Sequence, residues 1–132
     1  MYRLIYVSSV RPHVGVLEVE QIVDVARDRN ADRDLTGLLI YDGKRFLQYL
    51  EGEEAKVEAV FERIAEDERH YALVVLARGD VQRRQFPDWA MASRNVDDGD
   101  TLTMAVARMV QGCDEHVAAE LIGFAEAREK AA

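Results

Sequence analysis

The chain has 132 residues, 48% hydrophobic and 32% charged, with a formal net charge of −8. That length suits one domain with a real core, and the apolar content excludes a disordered chain. The acidic balance argues against nucleic acid or an anionic membrane as partner, and no apolar run approaches a membrane span.

Residues 3–8 alternate and are rich in β-formers, which predicts a strand. A loop carrying Pro12 follows. Val19, Ile22, Val23 and Ala26 recur at helical spacing and predict a helix from Val16 to about Asn30, with only Gly15 as a weak N-terminal cap. Leu35 to Tyr41 reads as a second strand, Asp42-Gly43 as a tight hairpin turn, and Arg45 to Gly52 as a third strand. Val57, Val60, Phe61 and Ile64 mark an amphipathic helix over about 53–66. Ala72 to about Ala77 is a fourth strand, and a short fifth lies over about 87–94. The order β-α-β-β-α-β-β is that of an α+β ferredoxin-like sandwich, with two helices on one face of the sheet. After the polar break Asp97-Asp98-Gly99-Asp100 come two further helical patterns, over 101–111 and 114–129. Leu102, Val106, Met109, Val110 and Cys113 stripe the first; Val117, Leu121, Ile122 and Ala125 stripe the second. The expected division is a domain over 1–96 and a C-terminal helical extension over 97–132, which caps the open sheet face or forms an oligomer interface.

Met1-Tyr2-Arg3 leads straight into Leu4-Ile5-Tyr6-Val7 without signal-peptide architecture, and Cys113 is the single cysteine. An internal disulfide is excluded and a cytoplasmic location expected. There is no G-x-G-x-x-G, P-loop or nucleophile elbow. His13, His70 and His116 are scattered, with no metal-ligand spacing, and Ser8-Ser9 has no base beside it. No metal and no enzymatic turnover are expected.

Gln48 is the residue that stands out, an amide inside the apolar strand Arg45-Phe46-Leu47-Gln48-Tyr49-Leu50. Strand alternation puts it on the same face as Phe46 and Leu50. A buried amide has two donors and two acceptor lone pairs, and each left unpaired costs roughly 1–3 kcal/mol. A polar side chain or a polar ligand is expected beside it.

Several segments then fall into one pattern: Leu4-Ile5-Tyr6-Val7-Ser8-Ser9, Asn30, Leu35-Thr36-Gly37-Leu38-Leu39, Phe46 to Gly52, Asp67-Glu68-Arg69-His70, and Arg83 to Met91. In this order and at these spacings the chain resembles the BLUF family of flavin-binding blue-light photoreceptors over roughly residues 1–96. The resemblance implies a ferredoxin-like fold holding a flavin, usually FAD and alternatively FMN or riboflavin, between the two helices. Tyr6 matches the photoactive tyrosine, Gln48 the switching glutamine and Asn30 the asparagine that reads the polar edge of the ring. Arg69 and His70 match positions bordering the flavin. Trp89 and Met91, two apart on one strand face, match a tryptophan–methionine pair that relays the signal. Two features depart from the pattern: Glu68 stands where proline is frequent, and Asp32 and Asp34 would repel a phosphate-bearing cofactor unless they point outward.

The implied mechanism is transfer of an electron and a proton from Tyr6 to the excited flavin by way of Gln48. Recombination leaves Gln48 in a second arrangement and shifts the flavin bands to the red. With only about 35 residues after the sandwich, the output is expected to pass to a separate protein or to alter a homo-oligomer. The other reading is a light-insensitive ferredoxin-like binding or dimerisation module that has lost its flavin.

Overall fold

A computed structural model describes residues 1–41, 44–87, 92–95 and 101–131. Its elements in chain order are β1 (Tyr2–Val10), α1 (Val16–Asp32), β2 (Thr36–Tyr41), β3 (Arg45–Gly52), α2 (Glu54–Glu66), β4 (His70–Asp80), β5 (Ala92–Asn95), α3 (Leu102–Met109) and α4 (Glu115–Ala131). The sheet runs β4-β1-β3-β2-β5. The first four strands pair antiparallel, and β5 joins β2 in parallel. This is the expected ferredoxin-like sandwich, with the expected short fifth strand at the sheet edge over Ala92–Asn95.

Both faces of the sheet are covered, so the central strands read as apolar runs more than as alternation. Leu4 and Tyr6 of β1, Leu39 of β2 and Phe46 and Leu50 of β3 join Val19, Val23, Val57, Val60 and Phe61 in the core beneath α1 and α2. The residues between them, Ile5, Val7, Leu38, Ile40, Leu47 and Tyr49, form a second core with Leu102, Val106, Val110, Val117, Leu121 and Ala125. The apolar stripes of α3 and α4 therefore pack inward on the rear of the sheet. Thr101 Oγ1 caps α3 by accepting from the Met104 N–H at 3.1 Å.

Some boundaries differ from the expected ones. β4 is longer at both ends because pairing with β1 draws in His70, Tyr71 and the polar stretch to Asp80, which have little strand signal of their own. A register shift between Val7 and Ser9 accompanies Ala72 at φ 52°, a bulge with a non-glycine residue in the left-handed region. α1 continues to Asp32, so Asn30 lies within its last turn, and the left-handed residue after the helix is Asp34 at φ 55°. Asp42-Gly43 lies outside the described residues, while Tyr41 pairs with Phe46 across the strands it connects. Gly37 permits close strand contact: a Cβ there would lie 1.8 Å from the Tyr49 carbonyl oxygen.

Candidate functional site

A cleft of about 310 Å³ opens between α1 and α2 above β1, β2 and β3. The sheet supplies its floor through Tyr6, Leu39, Phe46 and Gln48. Helix α1 supplies one wall through Ile22, Val25, Ala26 and Arg29. Helix α2 and the turn after it supply the other through Arg63, Ile64, Asp67, Arg69 and His70. An apolar cavity of this size with a few convergent polar groups has the form of a small-molecule site.

Tyr6 and Gln48 are brought together by register. They face each other on the paired strands β1 and β3, and the Tyr6 hydroxyl donates to Gln48 Oε1. Both are buried, with Gln48 2% exposed. Burial pushes the Tyr6 phenol well above its ordinary range, so it remains a neutral donor. Phe61 packs on its ring at 5.7 Å between centroids.

Asn30 is fully buried at 0% exposure, yet neither its Oδ1 nor its Nδ2 has a hydrogen-bond partner. The backbone carbonyl of Asn30 accepts from Arg33 at 3.1 Å and Leu35 at 2.9 Å, so its side chain is not the helix stop. An amide left empty in this way fits a ligand carrying both a donor and an acceptor on one edge, as a flavin ring does.

Arg69 and His70 border the cleft by different means. Arg69 Nε donates to Asp67 Oδ1 at 2.9 Å, and this bond holds the Asp67 carboxyl below its ordinary range. His70 Nε2 stands 2.5 Å from the Ile64 carbonyl, which can only accept, so Nε2 carries the proton and Nδ1 accepts from Ser8 Oγ at 2.9 Å. His70 thereby ties the end of α2 to β1. Asp32 and Asp34 are both exposed and line no part of the cleft. Trp89 and Met91 lie outside the described residues.

Sequence reasoning missed Arg29 and Arg63, which face the cleft from the last turns of the two helices. Burial lowers the Arg29 guanidinium below its ordinary value, with Arg33 and Arg63 adding repulsion. The available signal was their helical phase: Ile22, Ala26 and Arg29 fall on one side of α1. Both were easily taken for cations favoured near a helix C-terminus.

The family model described as sensors of blue-light using FAD matches residues 1–92. The chain is 39% identical over 83 residues to the blue light- and temperature-regulated antirepressor BluF of Escherichia coli (strain K12), covering 63% of this chain and 21% of that protein. It is 32% identical over 97 residues to photoactivated adenylate cyclase subunit beta of Euglena longa, covering 72% of this chain and 11% of that one. It thus spans about a fifth or less of these curated relatives. Among solved structures, the dark state of the BLUF protein BlrB superposes with a TM-score of 0.75 at 29% identity, covering 96% of both chains. A Klebsiella pneumoniae BlrP1 complex with manganese and cyclic diGMP superposes at 0.83 with 27% identity, covering 95% of this chain and 32% of that one.

Proposed function

The chain belongs to the family of sensors of blue-light using FAD, and from that premise we propose that it is a photoreceptor whose switch is the Tyr6–Gln48 pair. Asn30, Arg69 and His70 hold the flavin in this reading, with Arg29 and Arg63 on the same rim. The observation that carries it is the Tyr6 hydrogen bond to Gln48 in the floor of the cleft, with the buried, unpartnered amide of Asn30, which is not itself among the lining residues, in support.

Bound FAD supplies a ring that absorbs blue light and, once excited, accepts an electron and a proton. Tyr6 is the donor. Burial keeps its phenol neutral in the dark, so it meets the excited ring as a hydrogen-bond donor to Gln48. Gln48 Oε1 already accepts that proton's hydrogen bond in the dark arrangement. A primary amide has a donor end and an acceptor end, so reversing Gln48 exchanges what it presents to Tyr6 and to the cleft. Both arrangements satisfy the amide, which makes the pair bistable. Ile22, Val25 and Phe46 give the cleft an apolar lining on the ring side. Protonated His70 Nε2 and the Asp67–Arg69 pair fix the rim. The electron and the proton return to Tyr6, so the net result is a rearrangement of Gln48, not turnover.

The reading extends to the output. Residues 1–96 act as the sensing unit, and 97–132 carry the signal from Trp89 and Met91 to a separate partner protein or to a homo-oligomer. No described helix is long and apolar enough to cross a membrane, and a cytoplasmic site of action accords with the lone cysteine. The test is a light-minus-dark absorption spectrum of the FAD-supplemented protein. A reversible red shift is expected in the wild type, while Tyr6→Phe binds flavin and loses the shift. A normal photocycle in Tyr6→Phe refutes the switch assignment; failure to bind any flavin refutes the photoreceptor.

A further inference from the structure

Glu51 is the one fully buried charged side chain among the described residues, at 0% exposure, and the switch makes no use of it. It stands three residues after Gln48 on β3, so it faces the opposite side of the sheet, with Leu47 and Tyr49. Its two oxygens grip consecutive backbone donors: the Gln85 N–H to Oε1 and the Phe86 N–H to Oε2, each at 2.7 Å. Thr36 Oγ1 donates to Oε2 at 3.1 Å and itself accepts from Arg84 Nη1 at 2.6 Å. Burial pushes the Glu51 carboxyl up, and these donors pull it back toward the charged form.

The held segment reaches onward. Gln85 Oε1 accepts from the Asp114 N–H at 2.8 Å, and Gln85 Nε2 donates to Asp114 Oδ2 at 3.1 Å. The Asp114 carbonyl accepts from the Ala118 N–H at 2.9 Å and so begins α4. Phe86 stacks edge-on against Tyr49 at 5.2 Å, which closes the loop back onto β3. A single strand therefore carries the cleft's amide on one face and, on the other, a carboxylate tied to the start of the last helix.

We propose that Glu51 is a positioning residue that makes α4 follow β3, so that reversal of Gln48 is read on the far side of the sheet through Glu51, Gln85 and Asp114. The inference rests on the photoreceptor reading above. β3 is paired on both sides, with Gln48 opposite Tyr6 of β1 and Leu39 of β2, so it shifts as a unit. A carboxylate fixed by three donors transmits such a shift, where an apolar contact slides.

The experiment compares the FAD-loaded full chain with Glu51→Gln and Gln85→Leu. Two quantities are read: the light-minus-dark absorption shift, and amide hydrogen exchange at 114–122 in the dark and under blue light. The wild type is expected to show the red shift together with an exchange contrast of about three- to tenfold, the equivalent of one hydrogen bond lost or gained. Both variants keep the red shift and lose most of the contrast. Gln85→Leu leaves Glu51 and its backbone donors in place, so it carries the test alone if Glu51→Gln does not fold. A contrast that survives in both variants overturns the proposal, as does a wild type with a red shift and no contrast. A wild type that binds FAD without any red shift overturns the photoreceptor reading, and this inference with it. The spectrum alone tells that failure from the other two.

Discussion

Replacing Asn30 with leucine should raise the stability of the flavin-free protein and lower its affinity for flavin. The substitution is close to isosteric and removes two buried polar atoms that have no partner. At about 1–3 kcal/mol for each unsatisfied group, the flavin-free fold gains about 2–6 kcal/mol. Higher helix propensity inside α1 adds about 0.5 kcal/mol. For a domain of this size the lower end corresponds to a rise of about 6 °C or more in Tm. In the proposed site the same change would delete two hydrogen bonds to the flavin edge, worth together about 1–3 kcal/mol, or about 5- to 150-fold in Kd. Thermal melts with and without saturating FAD read both effects, because ligand stabilisation follows occupancy of the native state. The variant should be the more stable without FAD and should gain less when FAD is added, by about 1–3 kcal/mol. A lower Tm for flavin-free Asn30→Leu would show that the amide is satisfied without ligand, and the site assignment built on it would fall.

Four other outcomes follow from the geometry. Gly37→Ala places a Cβ 1.8 Å from the Tyr49 carbonyl oxygen, forces β2 from β3, and should destabilise by about 3 kcal/mol in denaturant melts. Ala72→Gly should leave Tm unchanged or raised, because relief of the left-handed conformation offsets the usual strand cost of about 0.5–1 kcal/mol; a drop would argue against the bulge. The Asp67 carboxyl is depressed by its bonds from Arg69, so its stabilisation is present above its unfolded value and lost as pH falls through the folded one. Flavin release on acidification should therefore be less steep in Asp67→Asn, and coincident acid limbs would count against the rim assignment. Glu120 accepts from Arg3 at both oxygens and ties α4 to β1; Glu120→Gln should cost about 1 kcal/mol in melts, less at high salt.

Much of this was legible in the chain, for reasons that differ by residue. Strand parity put Tyr6 and Gln48 each on an inward face, while their pairing was implied by the family resemblance; the antiparallel register that sets them opposite one another is seen only in the fold. Helix phase likewise gave the buried faces of α1 and α2. The expected α+β ferredoxin-like order was right, since each strand had its own β-formers. What the sequence could not reveal was non-local. The ends of β4 form only because β1 lies beside them. Asn30 at a helix end resembles an ordinary stop signal; its buried, unpartnered amide is visible only in the fold. Glu51, between Leu50 and Gly52, gives no local hint that its partners come from residues 85 and 86. The C-terminal stripes were equally compatible with assembly or capping, and the open face of the sheet claims them.

The alternation along β3 has an evolutionary consequence. Phe46, Gln48 and Leu50 belong to one chamber of the protein, and Leu47, Tyr49 and Glu51 to the other. If the proposed roles hold, substitutions at even positions would retune what is detected, and substitutions at odd positions what is done about it. A detector wired by parity can acquire a new listener without relearning how to see.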